Sequence, residues 1–293
     1  MNANLSTLRR IIDRHCVEPT TRTIIPGLLL FRADEPTTPM DVVYEPRFCI
    51  IVQGSKTVTL CDKVFEYNSQ KYLITAVDLP VKGCVTQASK EHPYLSLCIS
   101  LSPEKIKDLI NDIGSHESDL KSICPSCITT SELTNDIFDP VFRLLSMLDN
   151  PQDIPVLYES IMREILYRLL QGPQGYVLRQ IATVGSNLSH LNRAIDWIRD
   201  HYREAFDIAS LAQVAGMSTP SFHRHFRAAT MMSPLQYRNR IRLQEARRLM
   251  LNTNMDAAEA GFCVGYESPS QFSREYRRMF GAPPASNVKY IKQ

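Results

Sequence analysis

Two short segments near the C-terminus place arginine, amide and hydroxyl side chains at helical spacing. In each segment aromatic residues four positions apart mark the opposite, apolar face of the same helix. Arginine and amide groups hydrogen-bond base edges in the DNA major groove, and arginines further along such a helix meet phosphates. The candidate residues are Ser221, His223, Arg224 and Arg227 in the first segment, and Ser270, Gln271, Arg274 and Arg277 in the second.

A glycine turn and a serine precede each of these helices. Gly216 and Gly265 can end the preceding helix in the left-handed conformation, and Ser218 and Ser268 can cap the helix that follows. From the serines onward the two copies stay fifty residues apart. One copy alone would equally fit an ordinary amphipathic surface helix, but repetition in register favours two helix-turn-helix units.

Charge divides the chain in the same sense. Residues 186–293 carry 15 Lys and Arg against 9 Asp and Glu, a net of +6, whereas residues 1–185 carry 18 against 22, a net of −4. A basic end favours contact with nucleic acid. A chain of 293 residues with 44% hydrophobic residues is also long enough for two domains.

The N-terminal half is predicted to be rich in β-strands. Short runs of alternating or β-branched residues, separated by turn residues, favour a small antiparallel barrel or sandwich. These runs are residues 48–53, 56–60, 63–67, 71–77 and 94–101, with residues 78–80 as a turn. Two helical stretches follow at residues 135–148 and 156–170, and an apolar stripe runs along the second through Leu157, Ile161, Ile165 and Leu169.

Residues 191–291 resemble the DNA-binding domain of the AraC family of bacterial transcription regulators. The match includes the runs 233–237, 240–249 and 280–284 besides the two turns. This resemblance implies seven helices, with a connector at residues 235–251 between the two units. Such a connector would be about 25 Å long and could hold two recognition helices about 34 Å apart, one turn of DNA.

Two residues depart from the family pattern, and a third has a second possible role. Met231 stands where the second unit has Gly281, so either the methionine adopts a strained positive φ or the turn shifts. Gly261 stands at a helical position and should cost about 1 kcal/mol of helix propensity. Gln271 also fits a capping box with Ser268, which would give its amide a role other than base contact.

Residues 15–185 resemble the cupin-like N-terminal domain of one AraC-type branch, on motifs that include residues 44–46, 78–80 and 163–172. The resemblance implies a β-barrel that senses a small molecule, followed by helices that mediate dimerisation. The apolar stripe is therefore expected to pack against a second protomer instead of the barrel. Residues 171–175, with two glycines and a proline, are expected to form a flexible joint between the domains.

The sequence thus predicts an α+β protein of two domains. Residues 1–185 form a cupin-like effector-sensing and dimerisation domain, and residues 186–293 form an all-α domain with two helix-turn-helix units. The expected function is sequence-specific transcription regulation, with double-stranded DNA, a small-molecule effector, RNA polymerase and a second protomer as partners. The alternative is a module whose C-terminal bundle contacts a protein, which the salt dependence of DNA binding would distinguish.

Signs of catalysis, metal binding or membrane insertion are lacking in the sequence. His92 is the only histidine of the β-rich region, whereas metal-binding cupins use several, and no phosphate loop or nucleophile–base signature is present. We expect no enzymatic activity, no metal and no cofactor. No apolar run approaches 18 residues and the N-terminus lacks a secretory apolar region, so a cytoplasmic protein without membrane contact is expected.

The eight cysteines are expected to be thiols. Cys49, Cys84 and Cys98 lie in strands or turns, where cysteine ordinarily serves as a small hydrophobic residue. The alternative is that one of them faces the barrel cavity and reacts with an electrophilic effector such as an aldehyde. Cys124 and Cys127 form a C-x-x-C pair, which is either two ordinary loop cysteines or a redox-active or zinc-binding pair.

Overall fold

The computed structural model describes residues 2–114, 126–183, 185–253 and 255–292. The chain divides into two compact units, Met1–Ser189 and His190–Gln293. This division falls inside a helix, Asn187–Asp200. The domain boundary between residues 185 and 186 therefore stays a prediction.

The first unit contains two antiparallel sheets, built in its described residues from ten strands. Their order is β1-β2-β9-β4-β7-β10 in one sheet and β3-β8-β5-β6 in the other. The sheets face each other, because the Lys56 ammonium on β5 lies 5.8 Å from the centre of the Phe31 ring on β2. The strands are β1 Thr20–Arg22, β2 Leu28–Ala33, β3 Met40–Tyr44, β4 Arg47–Gln53, β5 Ser55–Leu60, β6 Lys63–Asn68, β7 Lys71–Thr75, β8 Leu79–Gln87, β9 Tyr94–Ser100 and β10 Ile128–Glu132.

The cupin-like two-sheet fold is confirmed, and the five predicted runs correspond to β4, β5, β6, β7 and β9. The turn predicted at residues 78–80 is wrong, because β8 begins at Leu79 and pairs with β3 on one side and β5 on the other. Pro80 lies at the second position of this strand, next to its N-terminal end, where a missing N–H disturbs the sheet least. Buried Val81 and Gly83 then alternate with half-buried Lys82 and Cys84, as expected of a strand with one inner face.

Five helices complete the first unit in the described part of the chain. Both helical stretches predicted after the β-rich region are confirmed, as α3 and α4. The bounds are α1 Asn2–His15, α2 Pro103–Ile113, α3 Asn135–Ser146, α4 Ile154–Gln171 and α5 Gly175–Ala182, with a short 3-10 turn at Pro151–Asp153 before α4.

The apolar stripe of α4 belongs to the core of its own unit. Ile161, Ile165 and Leu169 are at most 5% exposed, and only Leu157, at 42%, faces solvent. Helix α4 packs against α3, which supplies a buried apolar face of its own. The expectation that this stripe packs against a second protomer is therefore wrong for three of its four residues.

The segment 171–175 is a packed turn and not a flexible joint between domains. It connects α4 with α5, and both helices lie in the first unit. Gln174 is buried, and its Nε2 donates a hydrogen bond of 2.6 Å to Ser131 Oγ. A Cβ at Gly175 would lie 1.9 Å from the carbonyl oxygen of Leu170. The prediction of a joint here is wrong, because glycine serves close packing instead of freedom.

The second unit is all-α, and the seven helices expected for it are present among the described residues. They are α6 Asn187–Asp200, α7 Ile208–Ala215, α8 Thr219–Thr230, α9 Pro234–Thr253, α10 Ala257–Cys263, α11 Pro269–Phe280 and α12 Pro284–Lys292. Helix α9 is the predicted connector. Its 20 residues give a length of about 30 Å.

The ends of α8 and α11 offer a matched pair of stability variants. Met231 adopts the left-handed conformation after α8 (φ 60°), as Gly281 does after α11 (φ 81°). Left-handed backbone costs a non-glycine residue about 1–2 kcal/mol. We expect Gly281→Ala to lower the free energy of unfolding of the second unit by about 1 kcal/mol, and Met231→Gly to raise it by about 0.5–1 kcal/mol.

Urea unfolding of the full chain, followed by the fluorescence of the single tryptophan, Trp197 on α6, would measure both changes. A Cβ at position 281 meets no atom within 4 Å, so a loss there reports backbone strain alone. If Gly281→Ala were neutral, the left-handed turn would not be the constraint that we describe.

Candidate DNA interface

The first helix-turn-helix unit consists of α7 and α8 with Gly216 between them. Gly216 is left-handed (φ 67°), as predicted for the residue that ends α7. Asp207 caps α7 by accepting a hydrogen bond of 2.8 Å from the N–H of Ser210. Ser218 stands at the N-cap position of α8, but its side chain makes no capping hydrogen bond.

The second helix-turn-helix unit consists of α10 and α11 and repeats this plan, and here the serine side chain does cap the helix. Gly265 is left-handed (φ 91°), and Ser268 Oγ accepts the N–H of Gln271 at 3.4 Å. The Gln271 amide does not return this bond; it donates to Glu275 Oε1 at 3.1 Å instead. Only half of the capping box is therefore formed, and the Gln271 side chain lies along the outer face of α11.

Aromatic rings form the buried faces of both recognition helices. In the first unit the Phe222 and Phe226 rings lie 5.4 Å apart, and Phe226 meets Tyr237 of α9 edge-on at 5.6 Å. In the second unit the rings of Tyr266, Phe272, Tyr276 and Phe280 follow one another at 4.3–5.5 Å. This packing fixes which face of each helix points outward.

Gly261 has a packing role in the second helix-turn-helix unit. A Cβ at this position would lie 3.0 Å from Cγ of the Phe272 ring. The glycine therefore allows the ring to lie directly against α10. The cost in helix propensity expected from the sequence is accompanied by a closer contact between the two helices of the unit.

The predicted contact residues lie on the outer faces of α8 and α11. Among the described residues no carboxylate lies within 4 Å of the four arginine side chains in this set, whereas Arg199 and Arg248 of the same unit are paired with acidic neighbours. Ser221 is half-buried, and the exposed members are His223, Arg224, Arg227, Ser270, Gln271, Arg274 and Arg277. Four guanidinium groups without a carboxylate partner, one of which (Arg224) lies 3.4 Å from Nε2 of His225, form a surface for binding anionic groups.

Arg242, which sequence analysis did not single out, lies on α9 and connects the two units from inside. Its side chain is only 6% exposed. The guanidinium donates hydrogen bonds to four backbone carbonyls. Three of them precede the first helix-turn-helix unit and belong to Tyr202, to Arg203 at 2.9 Å and to Glu204 at 3.1 Å. The fourth, of Gly265 at 2.8 Å, lies in the turn of the second helix-turn-helix unit. The one available signal was its place between Ile241 and Leu243, on the apolar side of the connector.

Glu275 connects the second recognition helix with its surroundings. It accepts hydrogen bonds from the Tyr266 hydroxyl at 2.9 Å and from Asn239 Nδ2 of α9 at 3.3 Å. The corresponding position of the first helix-turn-helix unit is His225, which is buried. Burial, and then the charge of Arg224, lower the pKa of His225, so its ring stays neutral at pH 7.

The three candidate cysteines of the two-sheet domain are a pair, Cys49 and Cys98, and a single residue, Cys84. Cys49 and Cys98 lie directly opposite each other on β4 and β9, with their Sγ atoms 2.8 Å apart. Cys84 lies apart from them, and its thiol donates to the carbonyl oxygen of Thr37 at 2.9 Å. Cys124 lies outside the described residues, and Cys127 is buried.

A lysine without an acidic neighbour points between the two sheets. Lys56 shares a face of β5 with buried Val58 and Leu60, and its ammonium lies 5.6 Å from the Tyr44 ring centre as well as near Phe31. Gly83 makes the space, because a Cβ there would lie 3.2 Å from Lys56 Cε. In the described part of the chain no carboxylate pairs with Lys56.

The described residues contain no group of three or more His, Cys, Asp or Glu side chains placed to hold a metal ion. None of their helices combines the length and the apolar character that crossing a membrane requires.

Comparison with known proteins gives matches over most of the chain. Residues 24–177 match the family described as AraC-type transcriptional regulator N-terminus, and residues 211–289 match a helix-turn-helix domain. The HTH-type transcriptional activator RhaS of Shigella sonnei (strain Ss046) is 24% identical over 229 residues, 74% of this chain and 78% of that protein.

Solved structures of ToxT from Vibrio cholerae share the fold. The strain SCE256 protein with a bound unsaturated fatty acid has a TM-score of 0.58 at 10% identity, over 92% of this chain and 97% of that one. The O395 protein bound to (E)-4-(8-methylnaphthalen-1-yl)but-3-enoic acid has a TM-score of 0.57 at 13% identity, over 88% and 96%.

Proposed function

Because the chain belongs to the AraC family of transcriptional regulators, we propose that it reads operator DNA through the outer faces of α8 and α11. The observation that carries this proposal is the set of four exposed arginine side chains, none paired with a carboxylate, opposite two buried aromatic faces. Ser221, His223, Ser270 and Gln271 near the helix N-termini, with Arg224 and Arg274, are assigned to base edges. Arg227 and Arg277, one turn further, are assigned to phosphates.

Substitution of the two equivalent arginines tests this assignment. Arg224→Ala and Arg274→Ala are each expected to weaken specific binding by about 1–3 kcal/mol and non-specific binding little, since a base contact carries sequence information and a phosphate contact does not. The measurement is a pair of binding isotherms for the full chain, one on an operator selected from random duplexes and one on its scrambled sequence.

Arg199→Ala is the matched control, because Arg199 is an exposed arginine of the same unit that is paired with Asp196 and Asp200. This variant should bind both duplexes as the wild type does. Equal losses on operator and scrambled DNA for Arg224→Ala and Arg274→Ala would reassign both side chains to phosphate contacts.

For the two-sheet domain we propose an effector that is an apolar carboxylic acid. A half-buried ammonium without an acidic partner favours an anionic ligand, since a charge removed from water needs a counter-ion. Phe31 and Tyr44, whose rings lie 5.8 and 5.6 Å from the Lys56 ammonium, supply apolar surface beside it. The ToxT structures contain apolar acids, an unsaturated fatty acid in one and a naphthyl butenoic acid in the other.

Matched pairs of probes test the charge of this ligand. We expect oleic acid or 1-naphthylacetic acid to bind the full chain better than oleyl alcohol or 1-naphthaleneethanol, measured by calorimetry. Lys56→Met, which keeps the volume and removes the charge, should weaken binding of the acid by about tenfold or more, given the 1.5–3 kcal/mol of a charged hydrogen bond.

Lys63→Met is the control for this substitution, because Lys63 is exposed and its ammonium also lies over an aromatic ring, that of Phe65 at 5.3 Å. It should leave binding of the acid unchanged. Acids and alcohols that bind equally well, acids that do not bind, or an equal loss in Lys63→Met would each contradict a carboxylate site at Lys56.

The remaining parts of the proposal concern assembly and output. We propose a cytoplasmic homodimer that activates transcription by contacting RNA polymerase, with residues 1–185 as the sensing and dimerisation domain and residues 186–293 as the DNA-binding domain. The relative RhaS is named a transcriptional activator, which supports activation. The buried stripe of α4 does not serve the dimer contact.

A further inference from the structure

Cys49 and Cys98 are placed for a covalent bond across the sheet. They oppose each other in the β4–β9 register, with 2.8 Å between the sulfur atoms. Opposite residues of antiparallel strands have Cα atoms about 4.5–5.5 Å apart, within the range of about 4.4–6.8 Å that a disulfide spans. A disulfide bond of about 2.05 Å therefore requires the sulfurs to approach by about 0.8 Å, with the strands in their present pairing.

The surroundings make the two thiols unequal. The hydrogen bond between the thiols lowers the pKa of Cys98, and the positive charges of Arg47 and Lys56 lower the pKa of both thiols. Burial raises the pKa of Cys49, which is the less exposed of the two, at 2% against 8% for Cys98. The greater exposure and the lower pKa together assign Cys98 as the attacking thiol, because the thiolate is the reactive form of cysteine.

Three other described cysteines lack this arrangement. The thiols of Cys16 and Cys84 donate to the carbonyl oxygens of Glu18 and Thr37. Cys263 is exposed on the second unit. Cys49 and Cys98, in contrast to these three, combine an opposed register position with a direct contact between sulfurs and with two neighbouring cations.

We propose that Cys49 and Cys98 form a reversible dithiol–disulfide site in the two-sheet domain, with a peroxide as the oxidant. The Cys98 thiolate attacks one oxygen of hydrogen peroxide, which yields Cys98 sulfenic acid and hydroxide. Cys49 Sγ then attacks the Cys98 sulfur, a sulfur–sulfur bond forms, and hydroxide leaves. Both displaced hydroxides take up the protons of the two thiols, so that two thiols and one peroxide give one disulfide and two waters.

The bond would act on the wall that also faces the Lys56 ammonium. It would join β4 to β9 covalently beside the cations Lys56 and Arg47. Oxidation would thereby stiffen the effector domain. The chemistry itself depends neither on DNA binding nor on a small-molecule effector.

Peptide mapping of the full-length wild-type protein tests the site. The reduced protein is treated with a small excess of hydrogen peroxide, alkylated with N-ethylmaleimide in denaturant and digested with trypsin. We expect peptides 48–56 and 91–105 to appear as one cross-linked species that dithiothreitol releases, with two of the eight cysteines lost to alkylation. The oxidised protein should also melt at a higher temperature than the reduced protein, because the cross-link constrains the unfolded chain.

The proposal is overturned if both peptides stay fully alkylated at a peroxide concentration that oxidises the exposed Cys263. The variants then test the order of events. Cys49→Ser should leave a sulfenic acid on Cys98 that dimedone traps, Cys98→Ser should leave Cys49 unreacted, and Cys263→Ser should form the cross-link as the wild type does. If dimedone trapped a sulfenic acid on Cys49 in the Cys98→Ser variant, formed as fast as the wild-type protein is oxidised, the assignment of Cys98 as the attacking thiol would be overturned. Mapping of the wild type decides the main question even if a buried serine prevents folding.

Discussion

The DNA-binding unit depends on one buried guanidinium. Arg242 occupies the middle of the connector helix and donates to four backbone carbonyls, three before the first helix-turn-helix and one in the turn of the second. Arginine suits this position because its planar group carries five N–H donors that stay charged. Removing it would deprive these part-buried carbonyls of a charged donor, and a hydrogen bond to a charged group contributes about 1.5–3 kcal/mol.

The turn of the second unit is shaped to receive this side chain. A Cβ at Gly265 would lie 2.2 Å from the carbonyl oxygen of Arg203 and 2.8 Å from Arg242 Nη2. The glycine that ends α10 thus serves both the left-handed turn and the close approach of the two halves. Glu275 adds a second tie, since it accepts hydrogen bonds from the turn and from α9. The two recognition helices are therefore parts of one body, which presents their arginine faces at a fixed separation.

Local signals made the C-terminal half predictable from the sequence. Glycine turns, serine caps and aromatic spacing each act within a few residues, and their repetition located both recognition helices. The β-rich half depends on pairing between distant residues. The opposition of Cys49 and Cys98, and the strands β1, β2, β3, β8 and β10, become visible only once the register is known.

Other predictions were wrong, and Arg242 was overlooked, because the same residue type can serve two purposes. Apolar spacing on α4 indicated a buried face without revealing that α3 covers it. Gly175 allows close packing where the sequence suggested freedom of motion. Arg242 stabilises the interior of the unit, whereas the exposed Arg224 and Arg274 remain candidates for DNA contact.

We propose that the two helix-turn-helix units, held together by α9 and Arg242, read DNA as one rigid body. The most direct measurement is the affinity of the full chain for its operator after 5 or 10 base pairs are inserted between the two contacted segments. A rigid body cannot follow either insertion, so we expect both insertions to reduce the affinity to that of a single helix-turn-helix unit. This holds even for 10 base pairs, although an insertion of about one DNA turn returns the second segment to the same face of the DNA. Recovery of affinity at 10 base pairs, or no effect of either insertion, would contradict the claim.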